Sequence, residues 1–396
     1  MDQTLELARQ HFLEGVGHFE AGRLEEARRC FSASLELAPE RASVLGNLGI
    51  TLYHLKQWEE AVAPLQRATA ADPNYAEAWI SLGLCHEALG QWADAADALE
   101  RGLALGPGSA DLWQICGQCR DRSGRVDAAL VAFDRALRID PGAAELWSAR
   151  GNLLRDLKRL DEAAMCFEKA VALGADPELH AYFLAAVSGS KSPASPPRAY
   201  VEGLFDQYSV DFDSHLLDQL QYRGHERLLG PLVASGRRYQ TVLDLGCGTG
   251  LCGPLIAPVA DAIDGVDISA AMLEQARALG IYRELVHQDL TAFLADTERR
   301  VDLVVAADVF IYVGALDAVF DAVRRILEVG GCFAFTAERA PDTVDFRLLP
   351  SLRYAHSESY IRRLAADHGF RVRDLAVAPL RQSQQAPLEA LYVYLE

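Results

Sequence analysis

A small residue returns every 34 positions through the first half of this chain, at Gly15, Gly49, Gly83, Gly117 and Gly151. Twelve residues after each stands an alanine: Ala27, Ala61, Ala95, Ala129 and Ala163. In four of the five units a proline closes the repeat (Pro39, Pro73, Pro107, Pro141), and Trp79, Trp113 and Trp147 keep the same period. A repeat of this length is one supersecondary unit that cannot bury its own apolar face, so units must stack into a solenoid. The small residue on each of two helices lets the pair pack closely. The proline ends the second helix because it has no N–H to continue the ladder.

These positions resemble the tetratricopeptide repeat over Ala8 to about Ala175. The fifth unit lacks its proline until Pro177, which predicts that "PELHAYFLAAV" is the capping helix such an array requires. The expected organisation is a solenoid over residues 1–187, a Ser/Pro-rich linker "SGSKSPASPPR" over 188–198, and a second domain over 199–396.

In the second domain β-branched runs alternate with helical stretches: "TVLDL", "AIDGVDI", "ELVHQDL", "VDLVVAADVF", "GCFAFTAE". That alternation predicts an α/β fold with a parallel sheet covered on both faces. Two further runs, "FRVRDLAVAPL" and "ALYVYLE", have no helix between them and predict an antiparallel hairpin at the edge of a seven-stranded sheet.

The stretch "TVLDLGCGTGLCG" sits where such a sheet binds its ligand, beyond the carboxyl end of the first strand. It satisfies the G-x-G-x-x-G pattern at Gly248, Gly250 and Gly253, with Asp267 near the interval of a ribose-binding acid, so a dinucleotide is one reading. Asp244 argues against it, because a carboxylate there repels a pyrophosphate and suits a cationic ligand. S-adenosylmethionine is cationic and has no phosphate.

"VLDLGCGTG", "GVDIS", "HQDL", "VDLVVAADVF" and "LEVGGCFAFTAE" together resemble the ordered motifs of class I S-adenosylmethionine-dependent methyltransferases, which have a Rossmann-like fold. The resemblance implies S-adenosyl-L-methionine as cofactor. It assigns Asp244, Gly246, Cys247, Gly248 and Gly250 to the methionine end, Asp267 and Ile268 to the ribose, and Asp289 with Leu290 to the adenine. The whole chain resembles bacterial methyltransferases that carry tetratricopeptide repeats, through "LFDQYSVDFDSHLLDQLQYRGHERL" and "RYAHSESYIRRLAADHGF" as well.

Methyl transfer is a displacement in which the protein orients the acceptor and, where needed, removes its proton. "AADVFIYV" lacks the Asp/Asn-Pro-Pro-aromatic motif that grips planar amides, so an O or other N acceptor on a small molecule, peptide or protein is expected. Candidate catalytic residues are Asp308, Tyr312 and His356, the last because an imidazole titrates near neutral pH. Candidate acceptor-binding residues are Arg353, Tyr354, Tyr208 and His215.

The repeats are expected to recruit a peptide or protein, or to form a homodimer through Phe12, Val16 and Phe19. A formal charge of -18 disfavours nucleic acid and anionic membranes. No metal is expected from the eight scattered cysteines, and with neither a signal sequence nor a long apolar run the expected location is the cytoplasm. The competing function is an interaction scaffold whose methyltransferase-like domain binds cofactor without turnover.

Overall fold

The computed structural model describes residues 2–106, 108–208, 213, 215–383 and 386–396, so Pro107 lies outside it. The chain divides into two compact units, Met1–Ala175 and Asp176–Glu396.

Among the described residues the first unit has ten helices in five successive pairs, from Asp2–Glu20 with Leu24–Leu37 to Ala144–Asp156 with Leu160–Ala172. The periodic residues explain the pairing. A Cβ placed on Gly15, Gly49, Gly83, Gly117 or Gly151 would come within 2.3–3.1 Å of the side chain sixteen residues on: Phe31, Leu65, Leu99, Phe133 or Phe167. Ala27, Ala61, Ala95, Ala129 and Ala163 are fully buried against the opposite helix. Trp79 and Trp147 each donate their indole N–H to the carbonyl of the proline six residues before, at 3.0 Å. Phe12, Val16 and Phe19 are half-buried within the first pairs, Phe12 against Phe31, so they do not form the open apolar patch the sequence suggested.

The second unit is a nine-stranded sheet: β1 (Tyr239–Leu245), β2 (Ala260–Asp267), β3 (Glu284–His287), β4 (Val301–Ala306), β5 (Leu327–Ala340), β6 (Phe346–Leu348), β7 (Tyr354–Ser357), β8 (Val372–Ser383) and β9 (Ala386–Leu395). The first five strands are parallel in the order β3-β2-β1-β4-β5, and β9 then pairs antiparallel with β5 and β8 with β9. These seven are the expected Rossmann-like sheet with its terminal hairpin. The additional pair β7-β6 continues from the far end of β5, where Arg339 and Ala340 meet His356 and Ser357.

Both faces are apolar because alternate residues of each central strand enter opposite cores. Leu243, Val304 and Phe333 face the helix Asp317–Ile326, while Val242, Leu303 and Ala334 face Gly224–Ala234. Strand order reverses between β1 and β4, which opens a crevice at their carboxyl ends.

The helix Pro177–Ser188, expected to cap the solenoid, belongs to the second unit, where Tyr182 packs on Tyr200 and Tyr354. The following Ser/Pro segment is not a free linker either. The carbonyl of Ala194 accepts the N–H groups of Gly314 and Ala315, and Ser192 Oγ accepts that of Leu348. Polar composition signalled poor core-forming ability but said nothing of these backbone bonds.

Candidate active site

The chain after β1 turns sharply, with Gly246, Gly248 and Gly250 all left-handed (φ 65°, 54° and 93°), a conformation costly for other residues. The N–H groups of Gly246 and Cys247 donate to the Val266 carbonyl, and that of Gly248 donates to Asp267 Oδ2 at 2.8 Å. Asp267 Oδ1 accepts from Ser269 N at 2.9 Å. Burial pushes the Asp267 carboxyl above its ordinary range, opposed by these N–H bonds. Its role is therefore double: it ties the glycine turn to the end of β2 and faces the crevice.

The crevice holds a cavity of about 480 Å³. Gly246, Cys247, Gly248, Asp267, Ile268, Asp289 and Leu290 line one part of it, as the sequence proposed for the cofactor. A Cβ on Gly248 would meet nothing within 4 Å, so the turn leaves an open cradle there. The Asp267 carboxylate accepts backbone N–H bonds from Gly248, Ser269 and Ile268 and lines the cavity. The residues fit a ribose diol at Asp267 and a ligand lying along the glycine backbone. Asp289 Oδ1 caps the helix Leu290–Asp296 by accepting from Thr291 N and Ala292 N.

Asp244 and Gly250 do not line the cavity. Asp244 is sealed behind the turn, where Tyr282 donates to its Oδ2 at 2.7 Å and burial pushes its carboxyl up to about 7. Gly250 backs onto Leu279 and Tyr282.

The other part of the cavity gathers side chains from distant segments. Asp308 and Tyr312 follow β4, Arg353 precedes β7, and Arg381 reaches in from β8. Tyr222, His225, Phe205, Ser195 and Pro196 complete this side. Arg381 pairs with Asp308 Oδ2 through Nη1, and its Nη2 stands 3.6 Å from Glu338 Oε2. Asp308 is left-handed (φ 59°), held by its N–H donating to Thr336 Oγ1 at 2.8 Å. Arg353 is half-buried and hydrogen-bonded to Tyr312.

Two expected residues require correction, and two more lie outside the described residues. His356 is fully buried in β7, its Nε2 bonded to the Gly314 carbonyl at 2.9 Å, and burial pushes its pKa down to about 4. It does not line the cavity and is a packing residue stacked on Tyr360. Tyr354 is likewise fully buried, against Tyr182 and Phe346. The side chains of Tyr208 and His215 lie outside the described residues. Sequence reasoning missed Arg381, Tyr222 and His225. The latter two lie in the quoted "QYRGHERL", whereas no local signal ties Arg381 to Asp308, 73 residues away.

This architecture is a tetratricopeptide-repeat solenoid followed by a mixed α/β domain of methyltransferase fold. Family models agree: "Methyltransferase domain" matches residues 242–331, and "Tetratricopeptide repeat" matches 12–76, 57–110 and 119–180. The chain is similar to the malonyl-[acyl-carrier protein] O-methyltransferases of Legionella pneumophila (34% identical over 162 residues, 38% of this chain and 51% of the relative) and Geobacter sulfurreducens (36% over 143 residues, 35% and 52%). It is also similar to a probable S-adenosylmethionine-dependent methyltransferase of Saccharomyces cerevisiae (29% over 140 residues, 33% and 47%). The chain spans about half the length of these relatives. Among solved structures it matches MamA (26% identity, 44% of this chain and 93% of that one, TM-score 0.40) and a DhpI–SAH complex (20%, 50% and 96%, TM-score 0.39).

Proposed function

We propose that this protein transfers a methyl group from S-adenosylmethionine to a carboxylate oxygen of an acceptor held by Arg353. The observation that carries this reading is the electrostatic state of that guanidinium. Asp308 and Glu338, the carboxylates whose fields reach Arg353, are both engaged with Arg381. Among the described residues none lies within ion-pairing distance of Arg353. Because Asp308 and Glu338 are already engaged with Arg381, a ligand carboxylate can accept two of the Arg353 N–H groups in parallel.

The bound cofactor supplies a methyl group activated by its sulfonium. The acceptor oxygen needs no general base, because a carboxylate is already ionised at neutral pH. That agrees with the sealing of His356 away from the cavity. The protein's work is then to orient the acceptor and exclude water. The relatives named as O-methyltransferases support an oxygen acceptor. The repeats would recruit the acceptor, or the protein carrying it, and supply an effective concentration.

The test is incubation of the protein with methyl-tritiated S-adenosylmethionine and cell extract separated by size. Carboxyl methyl esters release volatile methanol in base, whereas ethers and N-methyl groups do not. Base-labile label is expected, and Arg353→Gln should lower it about 10- to 100-fold while S-adenosylhomocysteine still binds. Label that is wholly base-stable would refute the carboxylate assignment.

A further inference from the structure

Three residues on the acceptor side hold buried polar atoms with no hydrogen-bond partner in the protein: Asp308 Oδ1, His225 Nδ1, and Nε and Nη2 of Arg381. They come from three separate elements, the turn after β4, the first turn of Gly224–Ala234, and β8, and all three residues line the same cavity. Buried polar groups are nearly always satisfied, so an unpaired set gathered on one cavity wall points to a ligand or ordered water that completes it.

The chemistry of each orphan restricts what completes it. Asp308 offers a carboxylate oxygen, which only accepts. Its second oxygen is taken by Arg381, and its left-handed backbone is fixed by the bond to Thr336, so the free oxygen is held in place. His225 is 6% exposed and stacked on Tyr222 with ring centroids 5.1 Å apart. Burial lowers the His225 pKa from its ordinary value, which keeps the ring neutral at pH 7 and able to accept at one nitrogen. Arg381 pairs with Asp308 through Nη1 and stands 3.6 Å from Glu338 Oε2, which leaves its Nε and Nη2 donors without a hydrogen-bond acceptor.

We propose that the acceptor carries, besides the carboxylate bound by Arg353, a hydroxyl, amine or amide N–H that donates to Asp308 Oδ1 and lies against His225. This rests on the carboxylate reading above and narrows it, from carboxylic acids in general to those with a hydrogen-bond donor. An unsubstituted acyl chain would leave Asp308 Oδ1 and His225 Nδ1 unpaired. A site built to bond a donor rejects the analogue that lacks it, because its own groups are then stranded.

The experiment is a methanol-release assay on the full chain with matched pairs of acids that share a carbon skeleton. Propionate is set against lactate, alanine and N-acetylalanine, and octanoate against 2- and 3-hydroxyoctanoate. For at least one donor class kcat/KM should exceed that of the plain acid by about tenfold or more. Asp308→Asn is the companion variant. Asn tolerates the left-handed backbone, and it must turn its oxygen to Arg381 and its NH₂ to the cavity, where donor then meets donor. The preference should fall to within about twofold, with the melting temperature and S-adenosylhomocysteine titration showing the variant folded. Plain acids methylated as well as their partners, or an unchanged preference in Asp308→Asn, would overturn this inference and leave the carboxylate reading standing. No base-labile methyl on any acid or on any extract fraction would overturn both.

Discussion

Tyr182 donates its phenolic hydrogen to the carbonyl of Leu352 at 2.7 Å, bracing the left-handed residue (φ 60°) directly before Arg353. The helix that carries Tyr182 thus packs behind Arg353, and the segment after it lines the cavity with Ser195 and Pro196. The second compact unit begins at Asp176, ahead of the Ser/Pro-rich segment.

A chain beginning at residue 176 should therefore fold and bind S-adenosylhomocysteine like the whole protein. One beginning at 198 should melt about 10 °C lower or aggregate, since losing the Tyr182 ring and its bond strips cover from Tyr354. Scanning calorimetry of the two fragments distinguishes the cases. Equal melting temperatures would show that the helix and strap are dispensable.

Asp267→Ala removes both the proposed ribose acceptor and the anchor of Gly248, so S-adenosylhomocysteine should bind about 10- to 100-fold more weakly. Asp267→Asn keeps oxygen for one of these duties and should fall between. Calorimetric titration checks the order. An unchanged dissociation constant in the alanine variant would place the ribose elsewhere.

Two buried groups make opposite contributions to stability across the same pH range. The His356 pKa is lowered to about 4, so the unfolded chain binds the extra proton between roughly pH 4 and 6.5 and stability rises with pH there. The Asp244 pKa is raised to about 7, so the folded chain holds the extra proton between roughly pH 4 and 7 and stability falls with pH. The two slopes, each up to about 1.4 kcal/mol per pH unit, largely cancel in the natural protein. His356→Gln should expose a stability that falls as pH rises, and Asp244→Asn one that rises. Urea unfolding of the catalytic unit from pH 4 to 7 reads both, and parallel curves for the two variants would contradict the assignment.

The repeat lattice was legible because each Gly–Phe or Gly–Leu contact recurs at one period. The glycine turn was legible because Asp267, Gly246 and Gly248 are set by strand ends close in sequence. The other side of the cavity was legible in part: Asp308, Tyr312 and Arg353 were expected there, whereas Arg381 and His225 come from elements that only the folded sheet brings to them. His356 was chosen on its intrinsic pKa, which burial overrides. The strands β6 and β7, of three and four residues, are too short for an alternation to show. The Ser/Pro-rich segment was read as a free linker because its attachment is through the Ala194 carbonyl, which any residue would supply.

The most direct test of the account is calorimetric titration of the full chain with S-adenosylhomocysteine and, separately, with NAD. The account predicts one S-adenosylhomocysteine site per chain, lost or strongly weakened in Asp267→Ala, and no heat from NAD, whose pyrophosphate would lie along a turn tied to the Asp267 carboxylate. Binding of NAD in place of S-adenosylhomocysteine would contradict it.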